Sequence, residues 1–162
     1  MRKFYVVKGF EDKEVNLPVR ATKHAAGYDF EAVEDIVIPS IWKQILSGKV
    51  LQGVKPELVH TGIKAQMELD ESLKLFNRSG NPKLGLILAN GVGVVDSDYF
   101  ENPGNDGHIM FPFFNFWPKD VLIKKHDRIG QGVFEKFLLT EDDVEQGDRL
   151  SGFGSTGGHG EQ

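Results

Sequence analysis

A carboxylate and an aromatic ring that follow a glycine-containing turn are the first residues of this chain that could do chemistry. Residues 90–99 read Asn-Gly-Val-Gly-Val-Val-Asp-Ser-Asp-Tyr, and the pattern predicts a short β-hairpin. Gly91 and Gly93 would let backbone amides and carbonyls approach a flat ligand closely. Asp96 would stand where the strand ends and could hold a water molecule, while Tyr99 could offer its ring to a sugar. The same residues would also suit an ordinary polar turn after a core strand.

Two further segments have the residue types of an anion site. Arg78, Ser79 and Gly80 come before a predicted helical turn, where a hydroxyl and unpaired backbone N–H groups favour negative charge. Gln131 is in phase with the apolar residues of a predicted strand, so its amide would point into the core or into a site. A buried amide needs partners, and a phosphate would be one. The simpler alternatives are a capped turn with a solvated arginine, and a glutamine bonded to backbone at the edge of the core.

The glycine-rich tail is a third candidate. Residues 152–157 match the pattern G-x-G-x-x-G of dinucleotide-binding loops, but the helix and the distal acid that this motif needs do not follow. The lysine of a P-loop is missing as well. What remains is an arm rich in amides and hydroxyls, in which Arg149 and Phe153 could contact a polyphosphate and a base. The alternative is a disordered tail.

Residues that could bind a metal are few. Asp29 opens a predicted strand and could support a cation through water or simply stabilise a turn. The chain has no cysteine, so it has neither a disulfide nor a thiolate metal site. Its five histidines (24, 60, 108, 126 and 159) lack metal-ligand spacing.

Length and composition restrict the class of protein. With 162 residues, one domain is expected: a β domain over residues 1–148, followed by a flexible arm over 149–162. The net charge of −5 argues against nucleic-acid binding, which usually needs a basic surface. There is no apolar run of membrane-spanning length and no signal-peptide core near Met1, so we expect a soluble cytoplasmic protein that does not bind membranes.

The elements that must position these residues are mainly strands. Alternating apolar residues predict strands over 3–8, 35–38, 58–69, 72–76, 108–117, 121–124 and 129–138. In 58–69 one face would carry Val59, Thr61, Ile63, Ala65, Met67 and Leu69. Gly- and Pro-containing turns separate the strands and favour an all-β barrel or sandwich of the jelly-roll kind. Two segments are exceptions: 39–54 has helical spacing with Ser40 as a possible N-cap, and 77–86 predicts a single helical turn.

Taken in order, five segments resemble the five motifs of the homotrimeric dUTPases. They are residues 26–29, 78–80, 90–99, 128–131 and 152–157. Each motif is short, but their order and spacing extend over nearly the whole chain. The resemblance implies the distorted jelly-roll or β-barrel fold of that family, of the β-clip type, with one or two short helical segments.

The resemblance also implies a reaction, the hydrolysis of dUTP to dUMP and pyrophosphate. Water would attack the α-phosphorus while Mg²⁺ holds the triphosphate. Asp96 matches the carboxylate that orients and deprotonates the water, and Tyr99 matches the ring beneath the deoxyribose. Backbone groups near Asn90, Gly93 and Val95 would read the edge of the uracil.

Other motif positions imply contacts with the phosphates and the metal. Ser79, Gly80 and Gln131 match phosphate-binding positions, with Arg78 in the same pocket. Asp29 resembles a residue that supports the water shell of Mg²⁺. The arm would close over the nucleotide with Phe153 on the uracil, the residues Gly154, Ser155 and Thr156 on the phosphates, and Arg149 adding charge. In this family each site combines motifs from three subunits, which implies a homotrimer.

The chain also departs from the usual family pattern. The interval from Arg149 to Phe153 is one residue shorter than is common, which puts the role of Arg149 in doubt. Residues 39–54 look like an insertion, and 100–107 replace the usual short link after the tyrosine. The two inserts could form a surface for a protein partner. The alternatives to a dUTPase are therefore a dCTP deaminase of the same fold, which would release ammonia from dCTP, and a regulatory protein that keeps the fold for binding.

Overall fold

The computed structural model describes residues 1–48 and 53–144, and within them the chain is built mainly of strands. The strands are β1 Lys3–Val6, β2 Val19–Arg20, β3 Tyr28–Glu31, β4 Ile36–Ile38, β5 Glu57–Gln66, β6 Glu71–Asn77, β7 Leu86–Leu88, β8 Gly93–Asp96, β9 Ile109–Asn115, β10 Val121–Ile123 and β11 Arg128–Lys136. In the described part of the chain, helical structure is limited to α1 (Ile41–Leu46) and to 3-10 turns at Glu11–Lys13, Asn81–Leu84 and Ser97–Tyr99. The all-β architecture with short helical segments is confirmed.

Two antiparallel sheets enclose the core. One has the order β1-β5-β9-β7 and the other the order β2-β3-β11-β6-β8, while β10 and β4 form a separate pair. Phe30 of the five-stranded sheet and Phe111 of the four-stranded sheet are fully buried, with ring centroids 5.6 Å apart. A Cβ built at Gly130 would overlap the Phe111 ring. The glycine in β11 therefore lets an aromatic ring from one sheet lie directly on the backbone of the other.

Strand β5 follows the predicted alternation over most of its length. Val59, Ile63 and Ala65 are buried as expected. The register with β9 shifts between His60 and Ile63, because the intervening glycine has a φ of +69° that regular strands do not adopt. The strand ends at Gln66, so the expectation that Leu69 continues the buried face is wrong, and that side chain is exposed.

The predicted hairpin at 90–99 needs correction. β7 pairs with β9 in one sheet, whereas β8 pairs with β6 in the other. The residues between them form a tight turn in which the Gly91 N–H donates to the Leu88 carbonyl at 3.0 Å. The two arms separate because each buries its alternate side chains in the core from a different sheet. The segment is thus a turn that joins two sheets.

The helix expected in 39–54 is shorter than the sequence pattern. α1 begins at Ile41 after Ser40 in the N-cap position. The Ser40 hydroxyl does not cap the helix; it donates to the Trp117 carbonyl at 2.6 Å and so ties the segment to the residues after β9.

No helix among residues 1–48 and 53–144 is long and apolar enough to cross a bilayer.

Candidate active site

The turn that carries Arg78, Ser79 and Gly80 is held by two asparagine side chains. The Asn77 Oδ1 accepts hydrogen bonds from the Arg78 N–H at 2.9 Å and from the Asn81 amide at 2.7 Å. Asn81 is buried and also donates to the Ile129 carbonyl at 2.8 Å. The single helical turn predicted in 77–86 is confirmed: it is the 3-10 helix Asn81–Leu84. These bonds leave Ser79 and Gly80 exposed at the surface.

Asp29 lies next to two arginines. Its carboxylate accepts a hydrogen bond from Arg128 Nη1 at 3.1 Å, and its other oxygen is 3.9 Å from Arg78 Nε. Arg78 also donates from Nη1 to the Arg128 carbonyl at 3.1 Å. The Asp29 side chain is only 14% exposed, whereas the two guanidiniums are more open to solvent. One shielded carboxylate thus orients two cations beside the exposed turn.

Gln131 joins the segment 26–29 to this cluster. It is paired in register with Asp29 across β11 and β3. A Cβ built at Gly27 would be 2.5 Å from the Gln131 Oε1, so the glutamine side chain lies over the glycine backbone. The structure therefore brings Asp29, Arg78 and Gln131 together where β3, β11 and β6 lie side by side, at the end of β6.

A groove of about 320 Å³ lies beside the 78–81 turn. Arg78 and Arg128 line it together with Gly80 and Asn81, and apolar residues from β7, β10 and β11 complete its wall. Its chemistry is mixed: the lining combines two guanidiniums, the Asn81 amide, one carboxylate (Asp127) and several apolar side chains. Such a groove can accept an anion that is attached to a less polar group.

Asp96 and Tyr99 occupy a second region. Asp96 is the half-buried last residue of β8, and Tyr99 follows in a 3-10 turn. The Tyr99 ring belongs to the core and is 5% exposed. The preceding turn presents Asn90 to solvent, and the Val95 side chain is buried, whereas the Val94 side chain between Gly93 and Val95 is exposed.

A single chain does not bring the two regions together. On β6, Asp96 is opposite Ser72, whereas Gln131 is opposite Phe76 on the other side of the same strand. Four residues of strand separate these positions by about 13 Å along β6, and two inter-strand spacings add about 10 Å across it. The two backbone positions are thus about 16 Å apart, so within one chain only an extended ligand could reach both the carboxylate and the glutamine amide. Arg149, Phe153, Gly154, Ser155 and Thr156 lie outside the described residues.

Three functional contacts were missed at the sequence level. Arg128 is part of a recognised segment, yet its ion pair with Asp29 was not anticipated. Asn77 and Asn81 stand at a spacing of four residues around the exposed turn, which is a usable signal for a side-chain clamp. Asn105 lies in the segment 100–107 and donates to the Tyr99 hydroxyl at 2.7 Å.

Comparisons with known proteins agree with the geometry. The family model for dUTPase matches residues 13–157. The deoxyuridine 5'-triphosphate nucleotidohydrolase of Lactococcus lactis is 41% identical over 160 residues, covering 97% of this chain and 98% of that protein. The Saccharomyces cerevisiae protein of the same name is 30% identical, with 87% of this chain and 86% of that protein covered.

Solved structures show the same relationship. The dUTPase from Streptococcus mutans superimposes with a TM-score of 0.73 at 39% identity, covering 85% of this chain and 98% of that one. The dUTPase of the Staphylococcus aureus phage phi11 gives 0.67 at 14% identity, with 91% and 97% covered, and shares the fold. On the family match and these identities, the chain belongs to the dUTPase family.

Proposed function

We propose that this protein hydrolyses dUTP to dUMP and pyrophosphate by attack of a water molecule on the α-phosphorus. The match to the dUTPase family over residues 13–157 carries the proposal. The arrangement of the described residues supports a division of labour, in which one region reads the nucleoside and activates water, and the other binds the phosphates.

Asp96 is the proposed general base. It stands at the end of β8, directly after the turn that joins the two sheets. A carboxylate in this place can orient a water molecule and accept its proton as the oxygen attacks phosphorus. Loss of such a base usually lowers the rate by a factor of about 10² to 10⁴.

Tyr99 and the backbone of residues 90–95 are proposed to recognise the nucleoside. A ribose 2′-hydroxyl placed against the buried Tyr99 ring would lose its water partners, which costs about 1–3 kcal/mol. Steric crowding would supply any discrimination beyond roughly a hundredfold. Cytosine presents a donor where uracil presents an acceptor, so a backbone N–H aimed at uracil would be left unpaired.

The second region is proposed to bind the phosphates. Asp29 fixes the guanidiniums of Arg78 and Arg128, so their remaining N–H donors can face an anion in the groove. The Ser79 hydroxyl and the Gln131 amide would add uncharged donors. The arm with Arg149 and with Phe153, Gly154, Ser155 and Thr156 is proposed to close over the bound nucleotide.

Mg²⁺ is the proposed cofactor. Among residues 1–48 and 53–144, no group of three or more His, Asp or Glu side chains could hold a metal ion. Mg²⁺ is commonly bound through substrate phosphates while it keeps several waters, and this chain fits that arrangement. Asp29 would act on the metal through water, because its oxygens already face two arginines. The bound ion would neutralise charge on the triphosphate.

A homotrimer is proposed because the two regions are separated in one chain. A complete site would take Asp96 from one subunit and the cluster around Asp29 from another. The protein partner expected at 39–54 and 100–107 and the cytoplasmic location stay predictions.

The test measures pyrophosphate release from dUTP, dCTP, dTTP and UTP, with and without Mg²⁺. We expect release from dUTP alone, dependent on Mg²⁺, and a loss of at least about a hundredfold in kcat for Asp96→Asn. Asp12→Asn is the matched control, since it removes an exposed carboxylate from the 3-10 turn Glu11–Lys13. Ammonia release from dCTP, or an unchanged kcat in Asp96→Asn, would contradict the proposal.

A further inference from the structure

Segment 100–107, which we call the bracing loop, is tied to the molecule by asparagine side chains. Asn102 is 5% exposed, and its amide donates to the Tyr99 carbonyl and to the Asn105 Oδ1, both at 2.8 Å. The Asn102 Oδ1 accepts from the N–H groups of Gly104 and Asn105 at 2.9 and 3.1 Å. The Asn102 side chain therefore closes the loop on itself and joins it to the Tyr99 backbone.

The Tyr99 hydroxyl is fixed from two sides. It donates to the His108 carbonyl at 2.9 Å and accepts from the Asn105 Nδ2 at 2.7 Å. Because the hydroxyl both donates and accepts a hydrogen bond, its position is fixed. The orientation of the ring is fixed with it. Asn105 is the side-chain donor in this pair, and its own Oδ1 accepts from the Gly107 N–H at 3.2 Å.

A buried lysine closes the loop from the other side. The Lys64 side chain on β5 is 5% exposed, and its Nζ donates to Glu101 Oε1 at 2.8 Å and to Asp106 Oδ2 at 2.9 Å. Burial acts to lower the pKa of Lys64, but the hydrogen bonds and charges of Glu101 and Asp106 outweigh it and the pKa is raised. The ammonium therefore stays charged and holds both ends of the loop.

The backbone of the loop is shaped for this contact. Glu101 and Asp106 have φ values of +54° and +59°, in the left-handed region. A Cβ built at Gly107 would be 2.7 Å from the Tyr99 carbonyl oxygen, so the loop packs directly on the tyrosine backbone. Strained residues of this kind persist where the surrounding contacts hold them.

We propose that Asn105 is a positioning residue, which sets the Tyr99 ring and so determines how well the enzyme distinguishes deoxyribose from ribose. The inference rests on the proposed function, in which Tyr99 supports the sugar. The loop is held through Lys64 and Lys8 and contacts Tyr99, so residues 100–107 would act in substrate recognition through this tyrosine.

The test uses Asn105→Asp. The aspartate keeps an Oδ1 that can accept from Asn102 and Gly107, but it replaces the donor to the Tyr99 hydroxyl with an acceptor. We expect KM for dUTP to rise about tenfold with kcat within about twofold, and the preference for dUTP over UTP in kcat/KM to fall about tenfold. Tyr99→Phe, which removes the same hydrogen bond, should show the same shift, and Asn105→Asp should add nothing in that background.

Glu101→Gln is the matched control, because the glutamine Oε1 can still accept from Lys64 Nζ, Asp106 keeps its ion pair, and Tyr99 is not touched. It should leave KM and the preference for dUTP within about twofold of the wild type. If Asn105→Asp fails to fold, Tyr99→Phe alone must still show the loss of discrimination. If the wild type hydrolyses dUTP but Tyr99→Phe or Asn105→Asp has an unchanged KM and an unchanged preference for dUTP over UTP, the inference is overturned and the proposed function is not. A folded wild type that hydrolyses no dUTP would overturn the proposed function and this inference with it.

Discussion

The contact between Gln131 and Gly27 shows how one absent methyl group can shape a site. The glutamine side chain lies across the glycine, where a Cβ would be 2.5 Å from its Oε1. Gly27 has no strained backbone angle to justify a glycine, since its φ is not in the positive region. The glycine is therefore explained by the space that it leaves for the amide next to Asp29.

We predict that Gly27→Ala displaces the Gln131 amide and weakens phosphate binding. The added methyl excludes the observed rotamer, and one lost hydrogen bond of about 1 kcal/mol corresponds to a rise of roughly fivefold in KM for dUTP. The melting temperature should stay within about 3 °C, because the end of a glutamine side chain can move without disturbing the core.

A double variant separates this cause from a backbone effect. Gln131→Ala removes the overlapping Oε1 and leaves only the Cβ of residue 131, 3.3 Å from the added methyl, a tight contact that a shift of a few tenths of an ångström relieves. Gly27→Ala should therefore add nothing to KM in that background. An additive rise in KM for the double variant would show that the glycine matters for another reason.

At the scale of elements, His108 connects the start of β9 to β5. Its Nε2 accepts a hydrogen bond from the Gly62 N–H at 3.0 Å, which requires a neutral ring. The ring packs on Phe10 and His60, with centroids 4.7 and 5.0 Å away. Burial, followed by the neighbouring charge of His60, lowers the pKa of His108 from 6.5 to about 4, while Glu34 acts weakly in the opposite direction.

We predict that acid destabilises the fold through this histidine. Between pH 6.5 and 4 the unfolded chain binds a proton that the folded chain does not, so the free energy of unfolding decreases as the pH falls. A shift from 6.5 to about 4 corresponds to about 3 kcal/mol, most of which is lost at pH 4, whereas well above pH 6.5 this histidine adds no pH dependence. Urea unfolding at fixed protein concentration, at pH 7.5 and at pH 4, measures the decrease.

His108→Gln is the comparison for this effect. Its amide oxygen can accept from the Gly62 N–H without titrating, so its decrease in stability should be smaller by about 3 kcal/mol. Carboxylates such as Asp106, whose pKa is lowered mainly by the Lys8 backbone N–H and by Lys64 against the effect of burial, contribute equally to both proteins. Equal decreases in the two proteins would rule out His108 as the cause.

The same elements show what a sequence can and cannot predict. Strands such as β5, β6 and β11 were predictable because alternation and turn residues are local properties. β2, with two residues, is too short for a periodic signal. β7 begins at Leu86, inside the segment 77–86 whose turn residues favoured a helical turn. The sheet to which β8 belongs depends on long-range packing, which is why the hairpin interpretation was wrong.

The residues of the candidate site also differ in how well the sequence predicts them. The order of the motifs was enough to select Arg78, Gln131 and Asp29 as one group, because their segments carry distinctive residue types. The contact of Asn105 with Tyr99 depends on left-handed backbone at Glu101, and a sequence does not mark such a conformation at a glutamate.

At the scale of the whole molecule, the two candidate regions are separated within one chain by about 16 Å, which a single substrate would have to bridge. Asp96 and Gln131 flank β6 at positions four residues apart, and Arg78 follows the far end of that strand. A site shared between subunits solves this problem, since symmetry places one region of a chain against the other region of its neighbour. With a shared site, two inactive variants can restore activity when their subunits mix.

We predict that Asp96→Asn and the double variant Arg78→Ala/Gln131→Ala regain activity when they are refolded together. In a random mixture about a quarter of the sites would combine an intact Asp96 from one subunit with an intact Arg78 and Gln131 from another, so about a quarter of the wild-type kcat per site should return. Each variant refolded alone is the control and should stay inactive, because every one of its sites contains the substitution. If the mixture releases no more pyrophosphate than the two controls together, Asp96 and the arginine cluster must act within one chain, and the separation across β6 would have to close on binding substrate.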